Sequence, residues 1–439
     1  MRVPRLALAG LLPAVALSHA AGDEFSVALR GQWAVAIDGG ETQSLEMDLE
    51  PEWVRRFDNG WRLTASGRLR VQNQAGLRPG DMQTAGYSPL TRPWRISDTA
   101  EFTPREFYLQ GERGGTYLTL GKQQIVWGKA DGLKVLDRVN PQSFREFILE
   151  DFEDSRIPLW AVNVERPLGD WDAQLVWLPD TSVHALPGRG ARYAFSAPML
   201  VPSVPPGVRV DPREARRPGR VIADSDIGLR LSRFWNGWDI SLNYLYQYDD
   251  FPVLYQQPGV SETGPRVTIT PRYERTHVLG GSFSNAFGDW VLRGEAAWFS
   301  DRYFLADLAR QTNGIAQAGE LSSVLGLDWS GIRDSFISVQ LFQSRVLGGA
   351  EGMLRDRIET TLTLLLRRDF NNDTLHAQTL WLAGTNRGDG LLRFKLSYDW
   401  RDDLRVWLGA DVFYGDSEGL YGQFDDNDRV LVGVEVGVN

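Results

Sequence analysis

From Asp334 the chain reads DSFISVQLFQSR, with Ile337, Val339 and Leu341 on one side and Ser338, Gln340 and Ser344 on the other. A two-residue period marks an extended strand with one apolar and one polar face. The alternation returns in IGLRLSRF, WDISLNYLYQY, IETTLTLLLRR, LLRFKLSYDW and VLVGVEVGVN. A soluble sheet with one buried face produces the same pattern, so the spacing of the strands has to decide.

Stretches of roughly ten residues, enough to cross a bilayer at a tilt, are joined alternately by tight and long connections. The tight ones are Asp58-Asn59-Gly60, Arg113-Gly114-Gly115, Leu168-Gly169-Asp170, Asn236-Gly237, Gly288-Asp289, Gly331-Ile332-Arg333, Asn371-Asn372-Asp373 and Arg401-Asp402-Asp403. Between them lie 74–101, 127–158, 179–222, 250–271, 301–320, 346–355 and 415–428. This asymmetry predicts an all-β fold, a transmembrane antiparallel β-barrel of about 18 strands (roughly 16–20), with its tight turns and both ends on the periplasmic side. A soluble β-sandwich with ordinary hairpins is the competing fold.

Four tight turns lead directly into Trp: FDNGW, PLGDW, FWNGW and FGDW. Asn and Gly accept the positive φ that such turns require. A Trp at that depth can rest between headgroups and hydrocarbon, so Trp61, Trp171, Trp238 and Trp290 are expected at a membrane interface. The last strand offers Val430, Val432, Val434, Val436 and Val438 to lipid but ends in Asn439, not in an aromatic residue.

No later stretch approaches the ~20 apolar residues of a spanning helix. The mean hydropathy of −0.29 fits strands that hide their apolar face by alternation. At the N-terminus, Arg2 and Arg5 precede the apolar run Leu6–Leu17 and a small-x-small site at Ser18-His19-Ala20-Ala21. Residues 1–21 therefore read as a signal peptide and 22–439 as the barrel. With Cys 0, no disulfide framework holds an exported chain. The net charge of −10 excludes a nucleic-acid partner. The expected partners are outer-membrane lipid, lipopolysaccharide and the barrel assembly machinery.

With the apolar face turned to lipid, the other face presents Arg30, Arg62, Arg68, Arg70, Arg230, Arg293, Arg357, Arg393, Lys395 and Arg405, beside Glu295, Glu359, Asp399, Asp411 and Glu435. Such a mixed, Arg-rich wall encloses water and biases which solutes pass. Pairing of these charges across neighbouring strands is the alternative use for each of them.

Gly121 to Trp160 departs from the strand pattern. Asn140-Pro141 can start a short helix with Phe144, Phe147 and Ile148 at helical spacing. Residues 129–158 carry Lys129, Asp131, Arg145 and Arg156 and an acidic bunch, Glu150, Asp151, Glu153 and Asp154. A loop with its own apolar stripe and charges is suited to fold into the lumen as a plug-like constriction, its acids meeting the arginines. Packing on the outer mouth is the competing placement.

Gly121-Lys122-Gln123, Trp127-Gly128, Asp131, Asn140-Pro141 and Arg145-Glu146-Phe147 resemble a segment of a proteobacterial outer-membrane barrel family of unknown function. In layout the whole chain is similar to alginate-export and other substrate-selective barrels. The resemblance implies a place in the Gram-negative outer membrane and co-operation with an inner-membrane exporter of lipids or other hydrophobic compounds.

A barrel hydrolase would need a nucleophile beside a base. The mature chain holds only His184, His277 and His376, with His277 near Ser282 or Ser284 as the one candidate pair. The sequence shows no G-x-S-x-G elbow, no paired-His metal motif and no cofactor site. The acidic runs Glu150–Asp154 and Asp425–Asp428 have the oxygens for Ca²⁺ but read as solvated loops. The expected function is passage of a solute or small amphiphile, with a non-conducting envelope barrel and an outer-membrane lipid hydrolase as the alternatives.

Overall fold

The structure, a computed structural model, describes residues 22–73, 86–188, 190–262 and 264–438. The expected signal peptide, the terminal Asn439 and residues 74–85 lie outside them. Eighteen antiparallel strands close into a ring, since the last strand, Arg429–Val438, pairs with the first, Asp23–Ala36, from Val27 opposite Val438 to Ala36 opposite Arg429. One further short strand, Trp94–Ser97, folds back on Ala100–Arg113 at its long-loop end. A separate three-stranded sheet, formed by Arg209–Pro212, Val253–Ser261 and Gly264–Arg272, decorates the long connections.

Burial runs opposite to that of a soluble sheet. In Ser335–Leu347, Val339 and Leu341 are 43% and 46% exposed while Ser338 and Gln340 are 0% and 1% exposed. In Trp238–Tyr248, Leu242 is exposed while Ser241 and Asn243 are buried. Apolar residues outside and polar residues inside are stable only where the surroundings are lipid. The sandwich alternative is excluded by ring closure and by this inversion together.

All eight expected tight turns join neighbouring strands at one end. In the turn between Asp226–Trp235 and Trp238–Tyr248, Asn236 and Gly237 take φ of 48° and 84°, the conformation that lets a two-residue loop follow the strand twist. Trp171, Trp238 and Trp290 open their strands and Trp61 directly precedes Arg62–Gln72, so all four stand at the tight-turn end. Trp290 stacks on Trp329 at 5.6 Å, and Trp238 packs on Phe283 and Phe287.

The other end differs from expectation in detail. Its connections include two short ones, 37–41 and 385–389, and the one expected at 301–320 shrinks to 306–314 because the strands Trp290–Leu305 and Ile315–Trp329 extend further. The long connection between Thr116–Gln123 and Leu159–Leu168 covers 124–158. Its helix is not at Asn140–Ile148 but a single turn at Phe152–Ser155. The backbone of 141–144 bonds elsewhere: Ser143 N–H donates to Ser155 O at 2.7 Å, Phe144 N–H to Ala185 O at 2.8 Å, and Pro141 O accepts from Ile157 N–H at 2.8 Å. Phe147 then turns at φ 55°, which ends any helical run.

Candidate functional site

The residues that carried the family resemblance build the base of segment 124–158. A Cβ on Gly121 would meet Phe107 O at 2.2 Å, so only glycine lets these strands close up. Buried Lys122 donates to Pro104 O at 2.6 Å, and Gln123 Nε2 to the carbonyls of Thr119, Gly121 and Ala161. Asn140 clamps both arms of the segment: its Oδ1 accepts from Ile125 N–H at 2.7 Å, and its Nδ2 donates to Ile157 O at 2.9 Å. Trp127, 2% exposed, donates to Gln174 Oε1 at 2.8 Å and lies over Gly228, whose missing side chain leaves its space.

From that base the segment bonds to strands spread round the ring. On one side Lys129 pairs with Asp239, and Asp131 with Arg293. Glu295, 5% exposed, accepts three backbone N–H groups, those of Lys129, Ala130 (2.9 Å) and Leu136 (3.1 Å). Arg293 also donates to Lys129 O and meets Asp328 at 3.1 Å. On the other side Asp154 sits between Arg30 (2.8 Å) and Arg68, Glu150 between Arg70 and Arg145 (3.2 Å each), and Arg145 reaches Glu46 at 3.0 Å. Glu146 pairs with Arg429 at 3.0 Å, and Arg393 donates to Leu149 O at 2.7 Å. Arg156 closes the segment on itself through Asp137 at 2.7 Å.

Burial opposes the charge on Asp154, yet Arg68 and Arg30 outweigh it and hold its carboxyl down to about 2. Lys134 shows the reverse balance: burial, aided by Arg156, overrides nearby Asp137 and brings its amine down to about 8. The acidic bunch therefore divides. Glu150 and Asp154 dock on arginines, whereas Asp151 and Glu153 are exposed and are engaged through their backbone carbonyls, Asp151 O by Ser155 N–H at 2.9 Å and Glu153 O by Arg105 at 2.5 Å.

Strand register adds a row of alternating charge. Glu101, Arg70, Asp48, Arg30, Glu435, Arg405 and Asp399 lie opposite one another on seven adjacent strands. Arg70 holds Asp48 through two bonds of 2.9 Å, Arg30 meets Glu435 at 3.1 Å, and Arg405 meets Asp399 at 2.5 Å. His376 extends the row, bridging Asp399 and Asp369. Because strands tilt in a barrel, the row descends from the long-loop end at Glu101 to the turn beside Arg405.

The remaining wall residues have mixed fates. Arg393 pairs with Asp411 at 3.0 Å, Glu359 with Arg355 at 2.9 Å, and Arg62 with Gln110 at 3.0 Å. Lys395 lies 5.2 Å over the Trp407 ring. Arg230 lines a cavity of about 400 Å³ beside Gln124 and Glu165. Arg357 is corrected: it is exposed, precedes the strand Ile358–Phe370 and bonds Gly348 O, so it joins no inner wall. Glu46, Glu146, Asp137 and Arg429 were missed. Ser44, Glu46, Asp48, Glu50 and Glu52 alternate with Leu45, Met47 and Leu49, which was the available signal for Glu46.

The catalytic pair is not assembled. Val278, Gly280 and Ser282 alternate with His277 along Arg275–Phe287, so His277 points away from Ser282 and Ser284, and its Nδ1 lies 2.8 Å from Tyr244 OH. His184 is buried, and Gln142 N–H donates to its Nδ1 at 2.8 Å. Phe144 and Phe147 join Tyr193, Phe195, Phe413, Tyr421 and Phe424 in an aromatic cluster on the long-loop side. Next to it lie two cavities. One of about 500 Å³ faces much of the charge row, including Arg30, Asp48, Arg405 and Glu435. One of about 330 Å³ is lined by Gln43, Arg145, Arg192, Tyr193 and Asn427, and Glu146 and Arg429 line both.

Comparison with solved structures gives the fold. A Pseudomonas aeruginosa OpdK crystal structure with vanillate has 12% identity and a TM-score of 0.51, covering 95% of this chain and 98% of that one. Acinetobacter baumannii OccAB3 gives 10% and 0.51 over 95% and 99%, and a BenF-like porin from Pseudomonas fluorescens Pf-5 gives 10% and 0.51 over 95% and 98%. No curated protein matches the sequence. Residues 97–353, more than half of the chain, match the family described as "Protein of unknown function (DUF1302)", and the chain belongs to that family.

Proposed function

We propose that this protein is a channel of the Gram-negative outer membrane, passing a small polar solute through a barrel narrowed by segment 124–158. What carries the reading is the way this segment is held. It is bonded to strands on opposite sides of the ring, through Glu295 and Arg293 on one and Arg30, Arg70 and Arg429 on the other. A segment tied across a closed ring of this size divides its interior, and the cavity of about 500 Å³ left beside it is walled by charged groups. Such walls hold water and sort solutes by charge. The structural neighbours support the same reading, the BenF-like protein being named a porin.

The outward belt of Val, Leu and aromatic residues suits the lipid of that membrane, and the Trp collar at the tight-turn end suits its periplasmic interface. Purified, heat-modifiable protein in a planar bilayer should give stepwise currents in potassium chloride. Folded barrels that insert but never produce steps would make this a non-conducting envelope protein.

A further inference from the structure

The small sheet of Arg209–Pro212, Val253–Ser261 and Gly264–Arg272 has a place and a charge that conduction through the barrel does not use. Its place follows from one contact. Along Ile315–Trp329, Ile315 shares a face with Leu321, which is 39% exposed among the lipid-facing residues, and Leu305 lies opposite Ile315 on the neighbouring strand. Val253 of the small sheet packs on both, and all three are buried. The sheet therefore sits on the outer, bilayer side of the wall, at the long-loop end that such barrels turn to the cell surface.

Its charge runs against that of the whole protein. Residues 209–220 and 253–272 hold seven arginines and three acids, in a chain of net charge −10. Register then sets arginine against arginine: Arg209 lies opposite Arg266, and Arg216 opposite Arg272. Like charges directly opposite one another destabilise a sheet, so both pairs cost stability until an anion joins them. Gln256 lies against Gly314 of the barrel wall, which leaves the other face of the hairpin to Gln257 and, on the neighbouring strand, to Arg266, Thr268 and Thr270. These four line a cavity of about 450 Å³ together with Arg213 and Arg216. Among the described residues, the ion pairs of this sheet are those of Asp211 alone, with Arg213 at 3.1 Å and Arg266 at 3.9 Å. Arg209, Arg216 and Arg272 have no carboxylate partner there. Of the other two acids, Glu214 lines the cavity unpaired and Glu262 stands at the hairpin tip.

We propose that this face docks the phosphate groups of lipopolysaccharide in the outer leaflet around the barrel. Guanidinium forks match phosphate oxygens two at a time, and a phosphomonoester brings about two negative charges, enough to satisfy one arginine pair. A carboxylate brings one. Thr268 and Thr270 add hydroxyl donors and Gln257 an amide on the same face. The docking requires the barrel to stand in the outer membrane and holds whether or not it conducts.

The test uses the full folded protein in detergent micelles and two probes, lipid A and lipid A stripped of its phosphates, with bound lipid counted by native mass spectrometry. The parent should hold lipid A about tenfold more tightly, the size of one charge-assisted contact, and high salt should narrow the difference. In R209Q/R213Q/R216Q/R266Q the preference should vanish. R55Q/R113Q/R333Q/R401Q removes as many charges at the tight-turn end and should keep it. Heat-modifiable mobility checks that both variants fold, and if they do not, the two lipids on the parent still decide. Inorganic pyrophosphate separates a lipid site from a site for soluble phosphate: displacement of lipid A only by a large excess supports the docking, whereas binding as tight as that of lipid A overturns it. Equal binding of the two lipids by the parent overturns it as well, and so does a preference that survives in the first variant or is lost from the second.

Discussion

Asp154 is where the docking of the inserted segment can be weighed. Its carboxylate accepts from Arg30 at 2.8 Å and from Arg68, with 19% of its side chain exposed. Replacing it by Asn keeps the shape and removes the charge. Each charge-assisted bond contributes about 1.5–3 kcal/mol, but Arg68 retains Glu50 at 2.6 Å and Arg30 retains Glu435 at 3.1 Å. The net loss on D154N is therefore about 2 kcal/mol. Linkage gives a similar figure: a carboxyl lowered from 3.8 to about 2 binds its site more tightly when ionised, by about 2 kcal/mol. Since the docked pKa is the depressed one, this contribution is complete above about pH 4 and lost as the pH falls through about 2. Hydrogen exchange of the 142–158 amides should accelerate by about thirtyfold in D154N at neutral pH, and single-channel conductance should rise. The double variant D151N/E153Q removes two neighbouring exposed charges that make no side-chain hydrogen bond, so exchange should stay as in the parent. Equal exchange in D154N and the parent, or a larger effect from D151N/E153Q, would refute the docking.

Glu295 tests the opposite anchor. E295Q keeps the acceptor oxygen but loses the charge that gathers three backbone N–H groups, so exchange at Lys129–Leu136 should speed up by about tenfold or more; unchanged exchange there contradicts the anchor. W238A and W290A remove rings from the tight-turn collar, so the heat-modifiable fraction should fall while ion selectivity in assembled barrels stays as in the parent. Altered selectivity would place those rings in the pore. N-terminal sequencing of protein from the outer-membrane fraction should begin near Ala21 or Gly22; a chain that starts at Met1 and is found outside that fraction is incompatible with export.

What could be read in the sequence was local. The two-residue period and the turn residues at Asn236-Gly237 or Gly114-Gly115 act over a few positions, and they are enough to count strands and to orient Trp238. Where the reading failed, the determining contact lay outside the element being read. Phe144 and Phe147 have helical spacing, but the backbone N–H groups of Ser143 and Phe144 are claimed by Ser155 and Ala185, and the one helical turn forms instead at Phe152–Ser155. The parity that put Arg357 with Glu359 was sound, but the strand starts one residue later, and the exposed arginine turns to Gly348 instead.

The charge row shows what single-strand reading of an arginine-rich wall leaves open, namely which acid each arginine meets. Which residue of one strand faces which residue of the next is set by register, and a slip of one position would turn the whole set to the other face. Arg30 becomes a member of a neutralised row only because Asp48 and Glu435 fall opposite it on two different strands, one beside it in sequence and one at the far end of the chain. The same closure brings Arg429 beside Glu146, some 280 positions away, and Asp411 to its other side at 2.8 Å. An arginine on a lipid-facing strand therefore carries no net sign for a solute until its cross-strand partners are known. On segment 124–158, Asp151 and Glu153 remain exposed, and Asp151 shares a cavity wall with Lys395. Exposed carboxylates such as these reach further than the paired arginines, because a pair screens itself at distances beyond its own separation whereas a single exposed charge acts out to about 8 Å in physiological salt.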